Sequence, residues 1–275
     1  MRALPASVLT LCALTAAACG GVAEGDAAAP GRAPLQAPAA QAGKPAAKPV
    51  AKLAAKPLQG KVIVIDPGHN GGNYRAPKQI NQLVDVLTKK KPCDTTGTDT
   101  VSHYTEAAFS WDVSNRMKKI LQDRGATVKL TRSDNDSVGP CITERAAIGN
   151  RAKADAALSV HADGAAPKDH GFHVIMPKRI NGPVDAVVGK SRTLGLAVRD
   201  AFIQGTGIPY STYIGKNALN FRDDLGGLNL STVPKVFVEC GNMKNPGDAA
   251  KFQDPRFRQK IAMALANGLQ HYLKA

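Results

Sequence analysis

Short apolar runs of strand length alternate with longer segments of helical period, and this alternation restricts the chain more than any other feature. Residues 61–65 read Lys-Val-Ile-Val-Ile and stop at Asp66-Pro67-Gly68; a continuous β-branched run of this kind suits a buried strand. From Thr105 to about Arg124, Phe109, Val113, Met117, Ile120 and Leu121 follow helical spacing, with Thr105 as an N-cap and Gly125 just past the end. The same reading predicts strands at 127–131, 156–160, 171–176 and 235–239. It predicts helices at 142–152, 188–204 and 255–273, the last with Pro255 near its start. Strand–helix order of this type argues an α/β layered domain with a mostly parallel sheet. Residues 70–104 break the pattern. They are polar, contain Lys89-Lys90-Lys91 and have no strong period. An insertion directly after the first strand is a common place for a functional loop.

The first 60 residues have a different character. Arg2 precedes a short apolar stretch, Val8 to Ala18, followed by small residues. This is the pattern of an export signal and is too short for a spanning helix. Two cleavage modes are open. Ala16-Ala17-Ala18-Cys19-Gly20-Gly21 resembles a bacterial lipobox, which would make Cys19 a lipidated first residue; cleavage after an Ala-x-Ala site is the rival. The lipobox is the preferred reading, so the expected division is a signal peptide over 1–19, a tether over 20–59 and a folded domain over 60–275. The tether is rich in Ala, Pro and Lys. Lys44, Lys48, Lys52 and Lys56 recur every fourth residue, but Pro49 and Pro57 and the lack of an apolar face argue against a helix.

The formal net charge is +14, of which residues 1–60 carry only +4 and the folded part +10. A basic body favours an acidic partner surface. Export and the lack of any nucleic-acid fold signature argue against nucleic acid. An anionic bacterial envelope suits the compartment, with membrane contact only through a lipid anchor. A hydrophobic share of 43% excludes wholesale disorder.

Four residues suggest metal chemistry. His69 and His161 each follow a buried-strand pattern, and ligands of open α/β sheets gather at the carboxyl ends of strands. Two imidazoles delivered there can converge on an ion. A catalytic zinc takes three protein ligands and keeps one open position. Glu106, in the first turn of the 105–124 helix, is the best third candidate, although a carboxylate is also favoured there by the helix dipole. Glu239 ends the apolar run Lys235-Val236-Phe237-Val238. A carboxylate at that place is costly unless paired, metal-bound or catalytic. Cys240 is a rival ligand, with a small buried thiol as its simpler reading.

At these residues the chain resembles the zinc-dependent N-acetylmuramoyl-L-alanine amidases of the Amidase_3 family. The resemblance lies in four ordered blocks: Ile65-Asp66-Pro67-Gly68-His69-Asn70-Gly71-Gly72; Thr105-Glu106 with the following helix through Arg132; Glu144-Arg145 through Ser159-Val160-His161-Ala162-Asp163; and Pro234 through Val238-Glu239-Cys240-Gly241-Asn242 to Asn245. It implies one α/β domain with a roughly six-stranded, mostly parallel sheet and helices on both faces. It also implies Zn2+ held by His69, Glu106 and His161, with Glu239 as the catalytic carboxylate. The substrate implied is peptidoglycan or its muropeptide fragments, cut at the amide between N-acetylmuramic acid and L-alanine. The expected protein is an exported monomer of the bacterial cell envelope.

Three arginines, Arg132, Arg145 and Arg222, are candidates for binding stem-peptide carboxylates, with structural ion pairs as the competing reading. Residues 220–230, with Gly226-Gly227, read as a loop bordering the cleft. Of the cysteines beyond the leader, Cys93 and Cys141 lie in polar, Pro- and Gly-containing loops while Cys240 abuts a buried strand. A Cys93–Cys141 disulfide with Cys240 free is therefore expected. His170, His173 and His271 read as surface or strand residues. Two other functions stay in view. His103-Tyr104-Thr105-Glu106 resembles the ligand pattern of zinc carboxypeptidases, and an inactive wall-binding lipoprotein would keep the fold without the chemistry.

Overall fold

A computed structural model describes residues 55–274. The signal peptide, Cys19 and all of the tether up to residue 54 lie outside these residues. The elements run β1 (Val62–Pro67), α1 (Pro77–Ile80), β2 (Leu83–Asp85), β3 (Lys90–Pro92), α2 (Glu106–Asp123), β4 (Thr127–Leu130), α3 (Ile142–Arg151) and β5 (Ala156–Asp163). They continue with β6 (His173–Pro177), α4 (Val188–Thr206), β7 (Leu219–Arg222), α5 (Gly226–Asn229), β8 (Lys235–Asn242), α6 (Pro246–Gln253) and α7 (Pro255–Lys274).

The central sheet has six strands in the order β4-β1-β5-β8-β6-β7. The pairs β4–β1, β1–β5, β5–β8 and β6–β7 are parallel; β6 runs antiparallel to β8. The single reversal has a simple cause. Only the short segment 164–172 joins β5 to β6, and a parallel return needs a crossover of a dozen or more residues. On one sheet face, Ile63, Ile65, Leu158, Val160, Val236 and Val238 pack with Phe109, Val113, Met117 and Leu121 of α2, Leu194, Val198 and Phe202 of α4, and Ile261 and Leu265 of α7. On the other face, Val64 and Ala157 pack with Val233 and partly buried Ile148 of α3. The helices thus cover both faces, as expected.

The capping chemistry read from sequence is present at α2. The Thr105 hydroxyl accepts a hydrogen bond from Ala108 N at 3.2 Å, and Gly125 leaves the helix at φ +98°. The cap fixes the start of α2 and so places Glu106 at its first residue. Two strands run further than their apolar patterns do. β5 continues through His161 to Asp163 and β8 through Glu239 to Asn242. His161, expected just past its strand, therefore sits inside the ladder, directly opposite Glu239. A register shift between His161 and Asp163 marks where the pairing breaks.

The insertion at 70–104 is ordered despite its lack of period. It contains α1 and the two-stranded β2–β3 hairpin, whose three-residue strands are too short to leave an alternation in sequence. The Cys93–Cys141 disulfide, with its Cα atoms 4.5 Å apart, fastens the end of the hairpin to the start of α3; Cys240 is free and buried. Ile142 N also donates to Cys93 O at 2.8 Å. One boundary shifts. Leu58, expected in the tether, is fully buried in the main core, and its N–H donates to Arg124 O at 2.8 Å. An isolated leucine in a Lys- and Pro-rich stretch carries no period, so sequence alone does not mark it as core.

Candidate metal centre and catalytic cleft

The Asp66-Pro67-Gly68-His69 motif can be read residue by residue. Asp66 turns into the interior at the end of β1. Gly68 is required by space: a Cβ there would lie 2.2 Å from Cε1 of His161. His69 takes the left-handed conformation, φ 58°, which turns its ring back over the strand ends. Its Nδ1 faces Thr95 O at 3.2 Å and Asp94 Oδ1 at 3.4 Å, and its Nε2 faces Glu106 Oε2 at 3.2 Å. An Nδ1–H held by a carbonyl or carboxylate leaves Nε2 as the free donor atom, which is the usual arrangement around a metal-binding histidine.

Glu106 bridges the group. Its Oε1 lies 2.9 Å from His161 Nδ1, and its Oε2 accepts from Thr98 N at 3.0 Å. Gly97, at φ +73°, is also dictated by space, since a Cβ would fall 2.7 Å from both Glu106 Oε2 and His69 Cδ2. His161 stacks on Phe237 with ring centroids 5.1 Å apart, and the His69 and His161 rings meet edge-on at 5.0 Å. One donor atom from each of His69, Glu106 and His161 lies within 4.8 Å of the others, a group able to hold a metal ion. The three side chains are only 14%, 6% and 13% exposed.

Electrostatics point the same way. Burial opposes a charged imidazole at His69, but the Glu106 and Asp94 carboxylates outweigh it and raise the pKa to about 10. Burial likewise opposes a charged Glu106, and the two histidines outweigh it and hold its carboxyl far below the usual range. The pocket thus draws in positive charge. Two imidazoles and a carboxylate are the nitrogen and oxygen donors zinc accepts, in the number a catalytic site provides.

Glu239 lies across the β5–β8 ladder from His161 and across the β8–β6 ladder from His173. Its Oε2 is buried and has no hydrogen-bond partner among the described residues. Burial, followed by the nearby Glu106 and Asp163 carboxylates, pushes its pKa well above the ordinary value. An unpaired carboxyl of this kind is a candidate acid–base group. A cleft of about 400 Å³ exposes His69, Glu106, His161 and Glu239 together, with Asp163 and Arg222 along its wall.

The three arginines separate. Arg145 is 4% exposed and its guanidinium is fully occupied by Pro140 O, Asp66, Pro67 O, His69 O and Asp94. Arg132 is 5% exposed, lies 4.9 Å from the Trp111 ring centre and donates to Pro67 O, Ala107 O, Asp134 O and Asn135 Oδ1. Neither has a donor to offer a substrate, so their substrate reading gives way to a structural one: they fix the loop that presents His69. Arg222 alone borders the cleft, paired with Asp224 at 2.7 Å. His103, the alternative ligand, points away: its side chain is 88% exposed and pairs with Asp99. His173 is buried in β6.

Sequence reasoning passed over Asp94, Gly97 and Thr98, which hold the ligand group from the insertion, and Asp163 in the cleft wall. Asp94 follows Cys93 directly, and the disulfide was the one available sign that this stretch is pinned against the strand ends.

The chain is thus an α/β layered protein with a six-stranded sheet whose strand ends carry a His/Glu/His group able to hold a metal ion. The model of the N-acetylmuramoyl-L-alanine amidase family, Amidase_3, matches residues 63–271, and the chain belongs to that family. It is 38% identical over 217 residues to the N-acetylmuramoyl-L-alanine amidase Rv3717 of Mycobacterium tuberculosis, covering 78% of this chain and 88% of that one. Among solved structures, the amidase Ami1 of Mycobacterium smegmatis superposes with a TM-score of 0.74 at 39% identity, covering 78% of this chain and 98% of the other. The apo form of Ami1 from Mycobacterium abscessus gives 0.73 at 41% identity, covering 78% and 99%.

Proposed function

We propose that this chain is an exported, zinc-dependent amidase that hydrolyses the bond between N-acetylmuramic acid and L-alanine in peptidoglycan. The observation that carries the reading is the convergence of His69, Glu106 and His161 to within 4.8 Å, with the unpartnered Glu239 facing the same cleft. In this reading His69, Glu106 and His161 are the ligands, and Asp94 orients the His69 ring. When bound, zinc lowers the pKa of its water toward about 7 and polarises the scissile carbonyl. Glu239 accepts the proton of the attacking water and then delivers it to the departing L-alanyl nitrogen. In this reading Arg222, at the cleft wall, meets a carboxylate of the stem peptide.

Digestion of purified peptidoglycan tests this directly. The zinc-loaded enzyme is expected to release new L-alanine amino termini, and a chelator should abolish the release until zinc is restored. Free terminal amino acids would instead indicate a peptidase, and undigested wall a binding protein.

A further inference from the structure

Two buried polar atoms on one row of the sheet, Glu239 Oε2 and His173 Nδ1, have no hydrogen-bond partner among the described residues, and they belong to residues that face each other. His173 opposes Glu239 in the antiparallel β6–β8 pair, and His161 opposes Glu239 in the parallel β5–β8 pair. Directly opposed residues of an antiparallel pair share a face of the sheet, with Cβ atoms about 4.5–5.5 Å apart. His161, Glu239 and His173 therefore form one row across three adjacent strands. His173 is 1% exposed, and its ring meets that of Tyr213 edge-on with centroids 6.2 Å apart. Burial, opposed by the Asp163 carboxylate and reinforced by Arg222, lowers its pKa to about 4, so the imidazole is neutral at neutral pH. A neutral ring offers one N–H and one lone pair. Burying either without a partner destabilises a fold, so a histidine at this position calls for another cause.

We propose that His173 is a positioning residue for Glu239: its Nδ1–H is the donor that receives the ionised Glu239 carboxylate and aims the second carboxylate oxygen at the attacking water. The inference rests on the amidase reading above, in which Glu239 accepts a proton. Acceptance requires the ionised form, and burial together with Glu106 and Asp163 opposes that form. A donor on the same face is what a buried carboxylate needs. The other donors around it are committed. The Tyr213 hydroxyl donates to Asp163 Oδ2 at 3.0 Å. Arg222 directs Nε and Nη2 to Asp224 at 2.7 and 2.8 Å. His69 and His161 face Glu106 and belong to the ligand group, which does not include His173. His173 is thus free to serve Glu239 without competing for the metal.

The test measures kcat and KM of the zinc-loaded enzyme on N-acetylmuramyl-L-alanyl-D-isoglutamine, together with zinc content and melting temperature, for three variants. His173→Leu should lower kcat by about 10- to 100-fold, the worth of one hydrogen bond to a charged acceptor, with KM and zinc content unchanged. Its melting temperature should hold, because the nitrogen it removes is unpartnered. His173→Asn places an amide N–H where Nδ1–H stands and should restore most of the lost kcat. His173→Gln places its amide nitrogen where Nε2 stands and should not. Full turnover in His173→Leu, equal turnover in the Asn and Gln variants, or a fall in kcat matched by loss of zinc or of melting temperature overturns the assignment and leaves the amidase reading intact. Release of no L-alanyl amino terminus by the wild type overturns the amidase reading and this one with it.

Discussion

Glu239→Gln is expected to lower amide cleavage by about 10²- to 10⁴-fold, the usual contribution of a positioned general acid–base group, without loss of zinc. Glutamine keeps the shape but cannot accept a proton from water and return it to nitrogen. The ligand group does not include Glu239, so metal content should match the wild type. Stability also separates a catalytic role from a structural one. Glu239 has an unpartnered, buried oxygen and makes no ion pair among the described residues, so its replacement removes no pair that holds the fold. The variant should melt at or slightly above the wild-type temperature. Turnover within threefold of wild type would remove Glu239 from the chemistry.

The second large effect concerns stability. Asp66 lies under the site, 1% exposed, and accepts from Thr131 Oγ1 at 2.6 Å, Ser159 Oγ at 2.7 Å, Arg145 Nη1 at 2.9 Å and Lys235 Nζ at 3.0 Å. Asp66→Asn leaves Lys235, itself 2% exposed, without its carboxylate, and weakens the hold on Arg145. Removing one member of a buried charged group costs about 3–5 kcal/mol. Denaturant titration should show that loss, and Lys235→Met in the Asp66→Asn background should recover part of it. The pH dependence follows from the direction of the shift. Burial opposes the charged form, but Lys235, Arg145 and the two hydroxyls outweigh it and hold the Asp66 pKa well below 3.8. The folded value is depressed, so this stabilisation is complete above the unfolded pKa of about 3.9 and is lost as pH falls through the folded value. The wild type should therefore lose stability below about pH 4 more steeply than Asp66→Asn. Parallel acid curves for the two proteins would show that Asp66 does not carry this linkage.

The parts of the molecule visible in sequence are those with a repeating pattern or a costly residue. The Val62–Ile65 run and the Phe109, Val113, Met117, Leu121 stripe of α2 follow from burial and period. His69, His161 and Glu239 stood out as candidates because each is a polar group at the end of an apolar strand run, where desolvation must be offset, whereas the position of Glu106 in the first turn of α2 did not separate a ligand from a carboxylate favoured by the helix dipole. The β2–β3 hairpin left no such trace, since three residues cannot display an alternation. Neither did α6, whose start depends on an Asn245 side chain accepting from Gly247 N at 3.0 Å and Asp248 N at 3.1 Å rather than on an apolar face. Arg132 and Arg145 show the converse limit. A guanidinium suited to a substrate carboxylate is equally suited to backbone carbonyls and Asp66, and only burial separates the two uses.

X-ray absorption at the zinc edge of the active, purified protein tests the central claim most directly. One zinc per chain is expected, with two imidazole nitrogens and carboxylate oxygen at about 2.0–2.2 Å and no sulfur neighbour. His161→Ala should lose that signal. A protein that cleaves peptidoglycan at full rate without zinc, or whose zinc is bound through the Cys240 sulfur, would contradict the account.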